Sequence, residues 1–355
     1  MMQPFTYVGH PCRVLLGPGK IESLPREINY LGASRVLFCC TPGRKERALQ
    51  LVATLDGSAE VCSIANTIVS EELVHRGRSR AREFAANCLV SFGGGSALGL
   101  AKSIALEMDI PIIAIVTTYA GSETSELQGM FEGGKRVLKR SSRMQPRTII
   151  YDPALSVGLP LETSIRSAVN AMAHAACSFL GENHNPVTSL LAEEGLRVMK
   201  SALPRIADNP GDIDARGDAL YGAWLCGSTL NSAGTVLHHK IVHVLAGYFK
   251  VPHAFAHTVI LPHSLAYNRS AAPEAMKRIA RAFGDETADA AGQTFDLLTR
   301  TGAPTALKDA GMPSDVLSEA AKLITTDPYF NPRPVEYGPV RQTLEDAWFG
   351  RRPTV

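Results

Sequence analysis

Ten histidines occur among the 355 residues, and six of them fall between positions 238 and 263: His238, His239, His243, His253, His257 and His263. His239 and His243 are four apart, which places them on one face of a helix. An upstream helical stretch carries Asn170 and His174 at the same spacing. Imidazoles gathered in this way support two chemistries. They can hold a divalent ion together with a carboxylate, or they can donate hydrogen bonds and protons near neutral pH. Asn170 bears on the choice, because an amide beside three neutral rings leaves the charge of a divalent ion uncompensated. A lone histidine is usually a core residue, but a group this dense reads as part of a site.

A second set of residues is suited to phosphate. Gly93-Gly94-Gly95-Ser96 follows an apolar run and opens a helical pattern at 97–107. Backbone amides at a helix N-terminus point outward and carry the positive end of the helix dipole, and a loop without Cβ atoms lets a pyrophosphate approach closely. The order is not G-x-G-x-x-G, so the common dinucleotide fingerprint is absent, and a bare strand-to-helix turn is the alternative. Thr117, Thr118 and Ser122, in TTYAGSE (117–123), end the next apolar run, where ligands bind in open parallel sheets; helix capping would use the same residue types. Thr41 and Pro42 end an earlier run in the same way. From 132 to 147 six basic residues, Lys135, Arg136, Lys139, Arg140, Arg143 and Arg147, accompany one acid, Glu132. That segment is either a solvated face or a cationic rim drawing in an anionic cofactor or substrate.

The elements that must position these residues differ between the two halves of the chain. Short apolar runs at 35–40, 88–92, 110–116 and 147–151 alternate with helical patterns such as 70–87, which implies a parallel sheet with crossover helices. Beyond about residue 155 strand-like runs vanish. Helical stretches follow at 161–180, 187–203, 214–232, 235–248 and 254–267, with more to the end. The spacing predicts two domains: a nucleotide-binding α/β domain over 1–155 and an all-helical substrate and catalytic domain over 156–355.

Composition narrows the function classes. Hydrophobic residues make up 45% of the chain, enough for a large core. The net charge of +2 and 6% aromatics argue against a nucleic-acid partner. No apolar run approaches membrane-spanning length, and the first twenty residues lack the pattern of a signal peptide. Seven cysteines, Cys12, Cys39, Cys40, Cys62, Cys88, Cys177 and Cys226, are scattered and without a C-x-x-C pair. That usage fits a reducing compartment, so a cytoplasmic protein is expected.

The segments GGGSALGLAK (93–102), TTYAGSE (117–123) and HHKIVHVLAGYFKVPHAFAH (238–257) resemble the iron-containing alcohol dehydrogenase-like superfamily. The resemblance runs in order through nearly the whole chain. Within it, FEGGKRVLKRSSRMQPRTIIYDPALSVGLP (131–160) and DPYFNPRPV (327–335) look like the maleylacetate reductase group. The resemblance implies a dehydroquinate synthase-like fold, an N-terminal α/β domain with a parallel sheet plus an all-α domain, with the site in the cleft between them. Gly93, Gly94, Gly95 and Ser96 would hold the pyrophosphate of NADH or NADPH, Thr117 and Thr118 would line the nicotinamide side, and Thr41 and Pro42 the adenosine side. Metal-dependent members bind iron or zinc through one Asp and three His; the matching positions here are Asn170, His174, His239 and His253, and His243 matches a further histidine near the nicotinamide. Asn170 in place of Asp, and Gly99 in place of an acidic residue, resemble the maleylacetate reductases, so no metal is expected.

The implied reaction is reduction of a C=C bond conjugated to a ketone, in a small dicarboxylate met during breakdown of aromatic compounds. Hydride reaches the carbon β to the ketone, an enolate forms, and a general acid protonates the α carbon. His243 and His253 are the expected main donors, with His174 and His239 completing a polar wall and Asn170 orienting substrate. Arg333, Asn331, Tyr329 and the basic segment are candidates for the two carboxylates. A homodimer is implied by the relatives. The rival readings are a metal-dependent alcohol or aldehyde dehydrogenase on the same fold, a nucleotide-binding sensor without catalysis, and a related lyase or sugar-phosphate enzyme of the same architecture, which also normally needs the metal carboxylate.

Overall fold

A computed structural model of the chain describes residues 4–9, 12–133 and 135–353. Two compact units make up the molecule, one of residues 9–159 and one in which residues 4–8 group with 160 onward.

The first unit is built on six parallel strands: β1 (Arg13–Leu16), β2 (Arg35–Cys39), β3 (Ser58–Cys62), β4 (Cys88–Gly93), β5 (Ile112–Val116) and, after a hairpin, β8 (Thr148–Tyr151). The hairpin pairs β6 (Leu127–Glu132) with β7 (Lys135–Arg140) in antiparallel register, Leu127 opposite Arg140. The sheet order is β1-β8-β5-β4-β2-β3. Four helices cross over between strands: α1 (Leu24–Tyr30), α2 (Lys45–Val52), α3 (Glu71–Glu83) and α4 (Gly95–Met108). Because helices cover both faces, the inner strands are apolar throughout, and every residue of β4 and β5 is buried. Val36, Phe38, Val90, Phe92, Ile113 and Ile115 pack in one layer, and Leu37, Leu89, Ile112, Leu100 and Ile104 in the other.

The order of strands creates a switch point. The crossover after β2 leads outward to β3, whereas the one after β4 leads the other way to β5. β2 and β4 are direct neighbours, with Cys39 opposite Ser91, and β4 adjoins β5, with Gly93 opposite Val116. Ligands of open α/β sheets bind outside the carboxyl ends of the strands at such a point.

The second unit is helical: α5 (Leu161–Ser178), α6 (Pro186–Asp208), α7 (Ile213–Ser228), α8 (Leu230–Ala233), α9 (Leu237–Tyr248), α10 (His253–Asn268), α11 (Pro273–Ala282), α12 (Ala290–Arg300), α13 (Leu317–Thr326) and α14 (Tyr337–Phe349). Leu237, Ile241 and Leu245 recur every four residues along α9 and bury against Val259 and Ile260 of α10, Ile324 of α13 and Leu344 of α14. That apolar stripe fixes the rotation of α9 and leaves another face to its histidines. None of the described helices is long and apolar enough to cross a membrane. All seven cysteines are free.

Candidate active site

In the sheet unit, the glycine loop sits at the switch point. Gly93 ends β4 with φ 144°, a value suited to a residue without a Cβ. Gly94 is the N-cap of α4, no side chain caps the helix, and no acidic residue lies in its first turn. The first helix-closing bond runs from the Leu98 amide to the Gly94 carbonyl, so the amides of Gly95, Ser96 and Ala97 have no partner within the helix. A Cβ on Gly94 would lie 2.7 Å from Thr118 Cγ2, whereas one on Gly95 would meet nothing within 4 Å. Amides without a partner among the described residues, the positive end of a 14-residue helix and open space above Gly95 suit a pyrophosphate. Thr41 and Pro42 follow β2, and Thr117 and Thr118 follow β5, so all three expected groups lie at the carboxyl ends of three adjacent strands. Gly99 is closely packed, since a Cβ there would come within 2.9 Å of Gln128 Nε2.

Ser122 opens a short 3-10 turn whose N-cap is Gly121, so neither Ser122 nor Thr118 caps a helix. The Ser122 carbonyl is instead a ligand of Lys102, a residue to which the sequence reading gave no role. Lys102 is fully buried in α4, and its Nζ donates to the carbonyls of Ser122 (2.7 Å), Ser125 (2.6 Å) and Leu127 (3.0 Å). Burial pulls its pKa down to about 7, while three carbonyl acceptors require the three N–H groups of the ammonium form. The visible signal was a lysine inside an otherwise small and apolar helix.

The basic segment is mostly β7 and the turn after it. Arg140 pairs with Glu126 at 2.6 Å and Arg143 with Asp109 at 3.4 Å. The side chains of Glu132, Lys135 and Arg136 lie outside the described set.

In the helical unit, α5, α9 and α10 bring six histidines together. His174 Nδ1 lies 3.2 Å from His239 Nε2, with the rings stacked. His238 Nε2 is 2.8 Å from His257 Nδ1, and His257 Nε2 is 3.2 Å from His253 Nε2. His243 stacks on His253 with centroids 6.1 Å apart, and its Nδ1 is 3.1 Å from Tyr329 Oη. The cluster is graded: His174, His238, His239 and His257 are buried, while His243, His253 and Tyr329 are half-buried. His263 does not join it. Its ring packs edge-on to Phe295, because six residues after His257 it has turned about 240° round the helix.

Burial keeps the deep rings neutral. His174 is pulled down to about 4 and His238 to about 3, and His239 and His257 lie well below the usual imidazole range; neighbouring imidazoles add to the effect at His238, His239 and His257. A neutral ring offers one N–H and one lone pair.

Asn170 precedes His174 by one turn, half-buried, and its Oδ1 is buried with no hydrogen-bond partner among the described residues. An amide supplies no negative charge to a cation. Among the described residues no three His, Cys, Asp or Glu side chains form a group that could hold a metal ion. The donor set therefore does not fit the iron or zinc of the metal-dependent relatives.

Of the candidates for carboxylate binding, Tyr329 reaches the cluster through His243. Arg333 and Asn331 are engaged elsewhere: the guanidinium stacks 4.4 Å above the Tyr267 ring and donates to its carbonyl, and Asn331 Nδ2 donates to Asn268 Oδ1 at 2.7 Å. Lys240 was not singled out in the sequence. It lies on α9 between His239 and His243, half-buried, with its Nζ 5.5 Å from the Tyr329 ring centroid.

Known proteins match the chain over nearly its full length. Residues 11–153 match the family described as iron-containing alcohol dehydrogenase, and residues 164–348 match the C-terminal part of the Fe-containing alcohol dehydrogenase family. A maleylacetate reductase of Burkholderia cepacia is 44% identical over 354 residues, covering 99% of this chain and all of that protein. Crystal structures of maleylacetate reductases from Agrobacterium tumefaciens and from Rhizobium sp. strain MTP-10005 superpose with TM-scores of 0.96 and 0.95, each 42% identical, covering 99% of this chain and 100% of the other. With both halves matched and relatives alike from end to end, the chain belongs to the iron-containing alcohol dehydrogenase family and, within it, to the maleylacetate reductase group of oxidoreductases.

Proposed function

We propose that the chain reduces the C=C bond of maleylacetate to give 3-oxoadipate, using NADH or NADPH and no metal. One observation carries the chemical part of this reading: six imidazoles from three helices gather with no carboxylate among the described residues placed to hold a metal with them, and His243 and His253 are the half-buried members of the group. When bound at the Gly93–Ser96 loop, the reduced nicotinamide supplies a hydride.

As the hydride adds to the carbon β to the ketone, the alkene electrons move to the ketone oxygen. An N–H aimed at that oxygen stabilises the enolate, and removing one such donor costs about 3–4 kcal/mol. A proton delivered to the α carbon then completes the reduction. His243 and His253 share these two tasks, and His174 and His239 close the wall behind them. Asn170, with an amide in place of an anion, orients substrate without repelling a dianion. The substrate's carboxylates call for cations; Lys240 supplies one beside His243, and no carboxylate pairs with it among the described residues. A homodimer is part of the same reading.

The test is to follow loss of reduced-nicotinamide absorbance with maleylacetate, with and without a chelator. Turnover that persists with the chelator supports the reading, and dependence on an added ion defeats its metal-free part. His243→Ala is expected to lower turnover by about 10²–10³-fold with cofactor binding retained; near-normal turnover refutes the role given to that ring.

A further inference from the structure

The substrate proposed above carries a carboxylate at each end, and Lys240 answers only one of them. A second cation lies on the stripe of α5 that leads into the histidine cluster. Glu162, Arg166, Asn170 and His174 follow one another at four-residue spacing, so they share one side of the helix. Along that side the setting closes by degrees: Glu162 is exposed, Arg166 and Asn170 are half-buried, and His174 is buried. Arg166 therefore stands one turn from Asn170, toward solvent.

The guanidinium of Arg166 is held by a ring more than by an ion. Its Cζ lies 4.8 Å from the centroid of the Phe255 ring. Phe255 is 4% exposed and follows His253 by two residues in α10. A cation over an aromatic face is fixed by the ring's quadrupole and by packing, and neither consumes an N–H donor. Its ionic partner among the described residues is Glu162, through Nη2. The two side chains are 24% and 64% exposed, and an i,i+4 pair in so open a place is weak. An arriving carboxylate can displace it. Nε is buried and donates to no described residue, so contact with an anion falls to the terminal nitrogens.

The two cations bracket the half-buried imidazoles. Lys240 and His243 both meet Tyr329, and His243 stacks on His253. Phe255, beneath Arg166, comes next along α10. This run of neighbours therefore begins at one cation and ends at the other, with His243 and His253 between them. An enone flanked by two carboxylates has the same order: anion, reacting carbons and ketone, anion.

We propose that Arg166 is a specificity-determining residue that binds one carboxylate of the dicarboxylate substrate, while Lys240 binds the other. This deepens the maleylacetate reading and rests on it. The terminal N–H groups of Arg166 donate to the two oxygens of that carboxylate, and Glu162 is released to solvent. The carboxylate takes no part in the bond changes, so the contact is as strong before hydride transfer as during it and acts on KM rather than kcat.

Arg166→Gln should raise KM for maleylacetate about 10–150-fold, with kcat and NADH affinity unchanged. Arg166→Lys keeps the charge without the planar fork and should lose less. The two monomethyl esters of maleylacetate each neutralise one carboxylate. Arg166→Gln should cost nothing further with the ester that blocks the group Arg166 holds, and should keep its full loss with the other. An unchanged KM for the diacid, or equal losses with the diacid and both esters, overturns the proposal. Adipate, which has no bond to reduce, reads the same contact by calorimetry in the presence of NADH, and the wild type should bind it more tightly than Arg166→Gln. Adipate bound equally by both proteins, or by neither, overturns the proposal. A wild type that ignores maleylacetate yet binds adipate through Arg166 would defeat the functional reading and leave the anion site standing.

Discussion

Alanine at Gly95 separates the fold from the ligand. Gly95 is exposed at the first position of α4, and a Cβ there meets no atom within 4 Å. The protein should therefore accept the methyl, and stability should stay level or rise by up to about 1 kcal/mol as the unfolded chain loses freedom. A pyrophosphate over the amides of Gly95 and Ser96 would occupy the space the methyl takes. An N–H bond to a charged acceptor contributes about 1.5–3 kcal/mol, so losing one weakens the cofactor about 10–150-fold. Gly94→Ala is the contrast. Its Cβ falls 2.7 Å from Thr118 Cγ2 and 2.9 Å from Thr118 Oγ1, and overpacking of that kind costs about 1–3 kcal/mol in the apo protein. Thermal melts of the free protein and fluorescence titration with NADH read the two quantities apart. Gly95→Ala should lose cofactor and keep stability, and Gly94→Ala should lose both. Wild-type NADH affinity in Gly95→Ala would mean that the open space holds no phosphate.

Three further outcomes follow from the helical unit. Asn170→Asp supplies the missing anion and should let the protein retain zinc or iron through dialysis, by metal analysis, where the parent keeps none; no difference between the two would sink the charge argument. Lys240→Met should lower kcat/KM for the dicarboxylate about 10–150-fold, mostly through KM, and an unchanged value would remove Lys240 from substrate binding. Stability should fall with acid. His174 and His238 have folded values of about 4 and 3 against 6.5 for a free ring, so the unfolded chain takes up their protons first. Their contribution is complete above about pH 6.5 and is lost toward pH 4, with His174 alone accounting for about 3 kcal/mol. Urea melts near neutrality and at about pH 5 check this, and equal midpoints would show that the rings do not stay neutral.

The inner strands were legible in the sequence and the edge strands were not, for one reason. Runs such as 35–40 and 110–116 are apolar because β2 and β5 are covered on both sides. β1 and β3 lie at the two ends of the sheet, where half-burial tolerates Arg13, Ser58 and Glu60, so no continuous apolar run marks them. The β6–β7 hairpin escaped because β7, KRVLKR, reads as a charge run. In the site, residue type and four-residue spacing announced the imidazole cluster and the glycine loop. The hydrogen bond between His238 and Ser264 depends on a serine about two turns beyond His257, and the duty of Lys102 depends on carbonyls at 122, 125 and 127, well downstream. Neither leaves a local pattern.

The clasp made by Lys102 has a consequence for how the first unit breathes. One ammonium joins the middle of α4 to three points of the segment after β5. Releasing any one of those carbonyls strips a contact from a charge that has no water to turn to. The helix and that segment should therefore open as a single cooperative unit in hydrogen exchange, rather than as a loop fraying from a rigid body. Arginine could not stand in, because its flat fork of five donors cannot match three carbonyls gathered about one point.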